Sequence, residues 1–336
     1  MREEKFHIAY ASDNSFAMQT GISLLSLLKN NSDLHICVHI LANGISEENK
    51  ENLEKIASGK AELNFIDVSN FLNEKVKKIG IASYANSFDP YSRIWIAEFL
   101  PSDISKVLYL DGDTLVSGSL AELAQMDIKD YSCAMAIDIR SEKYKKKIEL
   151  ENGYEFYNSG VILINLDFWR EHNTGDALLK DILSFPTIYA DNPALCRVLK
   201  GKIKTLPLAC NATQMLKLFN NNSIYAIAFR SKAPFYSEQE LNEARENPIV
   251  LHYPNYYLSG RPWYEDCFDS KGLYAWRSYF NESPWAGKAM PKKQYAGLML
   301  IYVKITRFLF NVLPQKLFIV LVAKFIEKIA RALFGK

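Results

Sequence analysis

Short apolar runs alternate with helix-like segments at the start of the chain. Strand-like runs occupy residues 6–11 (FHIAYA), 34–41 (LHICVHIL) and 63–68 (LNFIDV). Between them, residues 16–28 have apolar side chains at helical spacing, and residues 46–57 open with a capping-box pattern. Strands that alternate with helices of about a dozen residues are typical of right-handed βαβ units. The pattern therefore predicts an α/β fold with a mainly parallel central sheet.

Later segments extend this alternation. We expect a helix around residues 91–99, followed by the apolar strand VLYL and by strands within residues 132–138 and 157–169. In open parallel sheets, ligands bind beyond the carboxyl ends of the strands. Acidic residues stand at two of these ends, Asp13 after the first strand and an Asp-Gly-Asp segment at 111–113 after VLYL. The candidate chemistry is therefore expected at these two ends.

Residues 111–113 allow three interpretations. Asp-Gly is a strong hairpin signal, with residues 114–116 as the return strand. An apolar strand before two aspartates also resembles the nucleophile motif of haloacid-dehalogenase phosphatases, with residues 175–181 as the later acidic motif, although here Gly112 separates the acids. Two carboxylates at i and i+2 can instead hold Mn²⁺ or Mg²⁺ against a nucleotide diphosphate. That third interpretation predicts another protein ligand, a nucleoside pocket and polar groups for a sugar.

The composition is that of a folded protein, with 49% hydrophobic and 23% charged residues among 336. Five cysteines form no CxxC pair, which favours reduced thiols in a cytosolic protein. No signal-peptide pattern and no run of 18 apolar residues is found, so we expect neither export nor a membrane span. The net charge of +2 hides an asymmetry, because residues 291–336 hold nine Lys or Arg against one acid. The remainder is mildly acidic, which argues against a nucleic-acid partner.

The basic tail has apolar side chains at helical spacing on both sides of Pro314. Two core-packing helices would produce this pattern. A helix that lies in an anionic membrane surface, with a basic polar face, fits as well and agrees better with the charge bias. The predicted organisation is one α/β domain over residues 1–265, a helical connector over 266–290 and a basic amphipathic membrane-associating tail over 291–336. We accordingly expect a cytoplasmic protein attached peripherally to the inner face of the plasma membrane.

Six segments, taken in order, resemble the family 8 glycosyltransferases. They are IAYASDNSF, HILANGISEEN, FDPYSRIWIAEFLP, KVLYLDGDTLVSGSL, FYNSGVILINLDFWR and LHYPNYYLSGRPW, and they cover roughly residues 6–263. The resemblance implies a single GT-A (Rossmann-like) nucleotide-sugar domain, a UDP-glucose or UDP-galactose donor, and Mn²⁺, with Mg²⁺ as an alternative. It implies transfer with retention to a saccharide, a lipid-linked glycan or a glycoprotein.

The resemblance also implies a metal and diphosphate centre. Asp111 and Asp113 are similar to the metal-binding acids of the family, and Asp111 also reaches the sugar. Gly112 between them would let the backbone approach the ligand. His252 resembles the third protein ligand of the metal. Arg261 stands where the family usually has a diphosphate-binding lysine, with a longer interval after the histidine.

Other residues resemble the nucleoside and sugar positions of the family. Ala11 and Asp13 are similar to the residues that hold uridine, with assistance from Asn14. Arg93 resembles the arginine that meets the donor sugar. The loop beside the sugar has its counterpart in three consecutive residues, Asn158, Ser159 and Gly160.

The catalytic segment departs from the family. Its Asp-Gln-Asp is Asp191-Asn192-Pro193 here, so a shorter amide stands nearest the anomeric carbon and the second acid is missing. We expect Asn192 and Asp191 to be catalytic, together with Asp138, which ends a strand and faces acceptor or sugar. The departure keeps open a non-catalytic protein that binds a sugar nucleotide or a glycan, beside the phosphatase alternative.

Ordinary structural roles compete with several of these assignments. His252 in a strand-like run could be a core histidine, Arg93 a salt-bridge partner, and Asp138 a helix cap or turn residue. Three further histidines, His7, His35 and His39, are interpreted as strand residues.

Overall fold

The computed structural model describes residues 5–81, 88–150, 153–185, 191–219, 221–228, 235–256, 258–268, 270–292 and 294–323. The strands are β1 (Phe6–Asp13), β2 (Ile36–Asn43), β3 (Glu62–Asp67), β4 (Lys106–Leu110), β5 (Thr114–Val116), β6 (Cys133–Ile137), β7 (Tyr157–Asn165), β8 (Ile203–Thr205), β9 (Ala212–Thr213) and β10 (Val250–His252).

The α-helices are α1 (Ala17–Asn30), α2 (Glu47–Ala57), α3 (Ser69–Leu72), α4 (Asp89–Ser92), α5 (Ile96–Phe99), α6 (Ala121–Gln125), α7 (Glu142–Lys147), α8 (Leu166–Glu171), α9 (Thr174–Ser184), α10 (Asn192–Val198), α11 (Gln214–Leu218), α12 (Asn222–Ala228), α13 (Glu238–Glu246), α14 (Ser270–Glu282), α15 (Gly297–Val312) and α16 (Gln315–Leu317). Two 3₁₀ turns (Arg93–Trp95 and Leu208–Asn211) and two π-helical turns (Asn73–Lys77 and Phe318–Ala323) complete the helical segments of the described residues.

A seven-stranded sheet with the order β3-β2-β1-β4-β7-β6-β8 organises the fold. Its neighbours are parallel except at β7, which runs antiparallel to both β4 and β6. The prediction of an α/β fold with a mainly parallel central sheet is therefore confirmed. Because β7 is reversed, its first residues lie at the edge of the sheet where β4 ends.

Helices cover both faces of the sheet, and its central strands are accordingly mostly apolar. On β1, Ile8 and Tyr10 pack into one hydrophobic core, while Ala9 and Ala11 pack into the core on the opposite face. All five cysteines have free thiols.

Two local predictions were wrong. Residues 114–116 form β5, but this strand does not return along β4 as in a hairpin; it pairs with β10 in a separate sheet of order β5-β10-β9. The single helix expected at 91–99 is instead α4, a 3₁₀ turn and α5. Arg93 begins the 3₁₀ turn between α4 and α5. Its Nε donates to the carbonyl oxygen of Pro90 at 2.9 Å, and the residue is 3% exposed.

The C-terminal segments pack on the sheet domain to different degrees. Helix α14 contacts α1 and contributes Trp276 and Phe280 to a core cluster. Helix α15 buries Val303 and Phe310, while its opposite face carries a run of exposed apolar side chains, here named the apolar stripe: Leu298, Ile301, Ile305, Phe308 and Val312. The predicted helical pattern beyond residue 323 lies outside the described residues.

None of the described helices combines the length and the apolar composition that crossing a membrane requires.

Candidate functional site

Three chain segments converge at the edge of the sheet where β4 ends. Asp111 follows β4 directly, and its backbone nitrogen donates to the carbonyl oxygen of Gly160, near the start of β7, at 2.9 Å. His252 ends β10 and pairs with Thr114, the first residue of β5. The Asp-Gly-Asp turn is thus fixed between two sheets, and the side chains of Asp111, Asp113 and His252 face one another.

These three side chains form a compact group of ligand atoms. His252 Nε2 lies 3.2 Å from Asp113 Oδ1 and 3.9 Å from Asp111 Oδ2. One potential ligand atom from each residue lies within 4.8 Å of the other two. Two carboxylates and one imidazole suit a hard or borderline divalent cation such as Mn²⁺ or Mg²⁺. The arrangement fits the ion that the sequence predicts.

The charges in this group depend on one another. Burial raises the pKa of Asp111, against the opposing charge of Arg93. Burial would also raise the pKa of Asp113, but the charge and hydrogen bond of His252 hold that pKa below its ordinary value. Burial would lower the pKa of His252, yet Asp113 raises it. Asp113 therefore favours the protonated form of the imidazole, and a divalent cation would take the place of that proton.

Asn211 holds the imidazole in one orientation. Asn211 Nδ2 donates to Asn158 Oδ1 at 3.0 Å, so its Oδ1 is the acceptor that faces His252 Nδ1, also at 3.0 Å. His252 Nδ1 must then donate, which leaves Nε2 toward the carboxylates. Asn211 was not among the predicted site residues. The only sign of its role in the sequence is an amide among small and apolar residues, LACNAT.

Gly160 provides the space for that ring. A Cβ atom at position 160 would lie 2.5 Å from His252 Nδ1, closer than real contacts allow. Its backbone nitrogen donates to Asn158 Oδ1 at 2.9 Å. The glycine of the predicted sugar loop is therefore required by the histidine across the site.

Gly112 has close neighbours within the protein. A Cβ at this position would overlap Thr20 Oγ1 and would lie 3.0 Å from a ring carbon of Phe16. The close approach that requires glycine is therefore to the side chains beside α1, within the protein.

Arg93 links the carboxylates of two distant segments. Its Nη1 lies 2.9 Å from Asp111 Oδ1, and its Nε lies 3.1 Å from Asp191 Oδ2. The guanidinium also lies over the Tyr109 ring, 4.7 Å from its centroid, and Nη1 donates to the carbonyl oxygen of Ser159 at 2.6 Å. A buried cation that binds two acids orients both side chains toward the site.

The two predicted catalytic residues at the start of α10 each bury an oxygen that has no hydrogen-bond partner among the described residues, Asp191 Oδ2 and Asn192 Oδ1. Asp191 is 1% exposed, and burial raises its pKa to about 6 although Arg93 opposes the shift. Asn192 has a buried Oδ1 without a hydrogen-bond partner among the described residues. Buried amide oxygens normally have a donor. Asn192 Oδ1 therefore keeps an acceptor position that no described protein group uses.

Asp138 is paired within the protein. Its carboxylate lies 2.9 Å from Arg140 Nη2 and accepts a second hydrogen bond from Arg140 Nη1 at 3.0 Å. Burial raises the pKa of Asp138, with Arg140 and Asn158 opposing the shift. Through Asn158, Asp138 joins the same polar group as Asn211 and His252.

Arg261 also forms an ion pair with Asp113. Its Nη2 lies 3.1 Å from Asp113 Oδ2, and its guanidinium carbon is 5.2 Å from the centroid of the Trp263 ring. The longer interval between His252 and Arg261 therefore still brings the arginine to the carboxylate turn.

The residues predicted for uridine divide into two groups. Ala11 and Asp13 lie at the carboxyl end of β1, where Asp13 Oδ1 accepts hydrogen bonds from Phe16 N at 3.0 Å and Ser15 Oγ at 2.7 Å. Asn14 is exposed, and its side chain binds the backbone nitrogen of Ser46, the N-cap of α2, at 2.9 Å. Asn14 thus secures the loop to α2.

The acidic motif of the phosphatase interpretation lies elsewhere. Gly175, Asp176 and Asp181 belong to α9, and Asp181 binds Arg197. Among the described residues, the side chains that pair with Asp111 and Asp113 are instead Arg93, His252 and Arg261.

A family model and several named proteins are similar to this sequence. The family model of glycosyl transferase family 8 matches residues 7–267. A Haemophilus influenzae protein with a provisional glycosyltransferase name is 32% identical over 62% of this chain, which spans only 64% of that protein. A lipopolysaccharide 1,2-glucosyltransferase of Escherichia coli is 26% identical over 87% of this chain and 84% of its own length. A lipopolysaccharide 1,3-galactosyltransferase of Salmonella typhimurium is 23% identical over 85% and 81%, respectively.

Solved structures agree with the fold. The galactosyltransferase LgtC, in complex with donor and acceptor sugar analogs, superimposes with a TM-score of 0.69 at 25% identity, over 83% of this chain and 96% of LgtC. The bifunctional glycosyltransferase WbbM gives a TM-score of 0.68 at 19% identity, over 84% of this chain and 51% of WbbM, and supports the fold alone.

Proposed function

Because this chain belongs to glycosyltransferase family 8, we propose that it transfers glucose or galactose from a UDP-sugar to a glycan or glycoconjugate, forming an α-linkage. One observation carries the proposal: Asp111, Asp113 and His252 hold their ligand atoms within 4.8 Å of one another at the edge where β4 ends. Both hexoses are considered because the relatives include a glucosyltransferase and a galactosyltransferase.

Mn²⁺, or Mg²⁺ in its place, would be held by Asp111, Asp113 and His252. When bound, such an ion neutralises charge on the departing diphosphate. Arg261 adds a permanent positive charge, and its Nη2 lies 3.1 Å from Asp113 Oδ2. We propose that its guanidinium turns from this carboxylate to the diphosphate of the donor, since an arginine fork binds phosphate oxygens in pairs.

The donor sugar would lie between Arg93 and the 158–160 loop. Asp111, Asp191 and the Ser159 carbonyl fix the position of Arg93, so its guanidinium would form a rigid polar surface beside the sugar. Asn158 is held by Asn211, and Asp138 by Arg140. Ala11 and Asp13, at the end of β1, provide the neighbouring position for uridine.

We propose that the reaction retains the configuration at the anomeric carbon through attack on the same face. The bond from this carbon to the phosphate oxygen breaks, the acceptor hydroxyl oxygen bonds to the carbon, and its proton passes to the leaving phosphate. Asn192 Oδ1, buried and without a partner among the described residues, would stabilise positive charge on the sugar. Asp191 is held by Arg93 at 3.1 Å, which argues against its use as a nucleophile. A trapped glycosyl-enzyme on Asp191 or Asp138 would contradict this mechanism.

We further propose that the protein is cytoplasmic and attached peripherally to the inner face of the plasma membrane through residues 291–336. In this part, the apolar stripe is exposed, with side chains between 52% and 64% accessible. The segment also carries nine Lys or Arg against one acid. Apolar side chains beside cations are the combination that binds anionic lipid surfaces.

A panel of UDP-sugars, incubated with and without Mn²⁺, tests the activity by the release of UDP. We expect metal-dependent release from one preferred hexose and its loss in Asp113→Ala. Hydrolysis of p-nitrophenyl phosphate without such release would favour the phosphatase alternative. Binding of a UDP-sugar without any turnover would favour a non-catalytic binding protein. Undiminished UDP release by Asp113→Ala would contradict the assigned site.

A further inference from the structure

A second group of ligand-type side chains lies at the opposite end of β1 and β2. His7, Cys37 and His39 bring one nitrogen or sulfur atom each to within 4.8 Å of one another. Among the described residues, only this group and the Asp111 group have three His, Cys, Asp or Glu side chains so arranged. Leu110, directly before Asp111, pairs with Tyr10, which lies three residues after His7, so the two groups are about 10 Å apart along the strands.

The parallel register creates this group. His7 pairs with Cys37, and His39 stands two residues further along β2, so all three side chains leave the same face of the sheet. On the adjoining strand β3, Glu62 pairs with Cys37 and Asn64 pairs with His39. The backbone therefore fixes the side chains independently of any bound molecule.

The separations of the ligand atoms match a tetrahedral transition-metal ion. His7 Nδ1 lies 3.0 Å from His39 Nε2, and Cys37 Sγ lies 3.7 Å from His39 Nε2. Around Zn²⁺, tetrahedral ligands lie about 3.3 Å apart for two nitrogens and about 3.6 Å for nitrogen and sulfur. For the third pair, the ligand atoms of His7 and Cys37 lie within 4.8 Å of each other.

The surroundings suit a metal-bound thiolate. Asn64 Nδ2 donates to Cys37 Sγ at 3.4 Å, a contact that stabilises negative charge on sulfur. Cys37 and His39 are 3% and 4% exposed, whereas His7 is half-buried and leaves a path from solvent. Glu62, which pairs with Lys5 at 2.6 Å, or a water molecule would supply the fourth ligand.

We propose that His7, Cys37 and His39 bind a divalent transition-metal ion of the zinc class, which clamps β1 to β2. Sulfur and imidazole ligands select Zn²⁺ over Mg²⁺ and Mn²⁺. The site is chemically distinct from the carboxylate group at the other end of the sheet. It does not depend on the glycosyl-transfer activity proposed above. Binding would displace the proton shared between His7 and His39 and the proton of the thiol.

Cobalt substitution tests the site on the intact chain, because Co²⁺ bound to a thiolate gives a charge-transfer band in the near ultraviolet. We expect this band at one equivalent of Co²⁺ and its displacement by Zn²⁺. The Asp111 group contains no sulfur and cannot produce the band, so Asp113→Ala should retain it. Absence of the band in the unmodified chain would overturn the proposal.

Variants assign the band to particular residues. Cys37→Ser should abolish it, whereas Cys133→Ser, which alters another buried strand cysteine, should leave it unchanged. Asn64→Ala keeps all three ligands and should weaken Zn²⁺ affinity by about 10- to 100-fold. His7→Gln affects a half-buried position, so it tests the site even if Cys37→Ser fails to fold. A band that survives Cys37→Ser or His7→Gln would also overturn the proposal.

Discussion

Gly160 and His252 lie so close together that the imidazole occupies the volume of a side chain at position 160. A Cβ there would be 2.5 Å from His252 Nδ1 and would also overlap other atoms of the ring. The histidine is 4% exposed and bound on both sides, so it has little freedom to move away. The backbone of the 158–160 loop and the side chain of His252 are consequently parts of one packed unit.

Gly160→Ala should destabilise the protein through this overlap. We expect a loss of about 1–3 kcal/mol in the free energy of unfolding, the usual cost of overpacking. Denaturant unfolding of a double-mutant cycle with His252→Ala measures the coupling. In the His252→Ala background, Gly160→Ala should cost much less, since the ring is gone. Equal costs in the two backgrounds would contradict the close packing described here.

Asn211→Ala should weaken metal binding at Asp111, Asp113 and His252 without removing a ligand. The substitution takes away the acceptor at 3.0 Å from His252 Nδ1, so the ring loses its orientation. Removal of such a partner typically lowers metal affinity by about 10- to 100-fold. Titration with Mn²⁺, followed by electron paramagnetic resonance, provides the measurement. Asn70→Ala, which alters an exposed amide on α3, is a suitable control, and an unchanged affinity in Asn211→Ala would refute the prediction.

Asp191 should make the folded state less stable as the pH rises from about 4 to about 6. Burial raises its pKa from 3.8 to about 6, so in this window the folded chain binds more protons than the unfolded chain. The contribution is about 3 kcal/mol over the full window. The free energy of unfolding, measured between pH 4 and pH 7, should fall less steeply in Asp191→Asn than in the unmodified protein. Parallel pH profiles for the two proteins would argue against this shift.

Ile305→Asp combined with Phe308→Asp should reduce binding to anionic lipid vesicles by about 10-fold or more, because each side chain loses about 1 kcal/mol of apolar transfer. Both residues belong to the apolar stripe. Cosedimentation gives the measurement. Leu183→Asp alters an exposed leucine of similar accessibility, 51%, on α9 and serves as the matched control.

Point substitutions are preferable to a deletion of residues 291–336. Arg307 Nη1 donates to the carbonyl oxygen of Asp266 at 2.8 Å, and Phe310 packs against Phe268 and Phe219. Truncation would therefore uncover part of the core. Unchanged binding of the double variant to anionic vesicles would exclude the apolar stripe as the contact surface.

The sequence by itself determined the class of fold, the family and the position of the Asp-Gly-Asp turn. These depend on local rules, namely the periods of strands and helices and the polar residues that follow buried strands. The six segments, in their order, indicated the family, and the match of the family model over residues 7–267 confirmed it.

The tertiary structure decided which distant residues share the site. The antiparallel direction of β7 brings Gly160 beside Asp111, and the pairing of β10 with β5 brings His252 beside Asp113. Neither the direction of a strand in the sheet nor the strand with which it pairs is encoded in its local sequence pattern. Apolar runs that are buried on both faces have the same pattern in either orientation. The same reason explains why Asn211, and the convergence of His7 with Cys37 and His39, became visible only when the strands were in register.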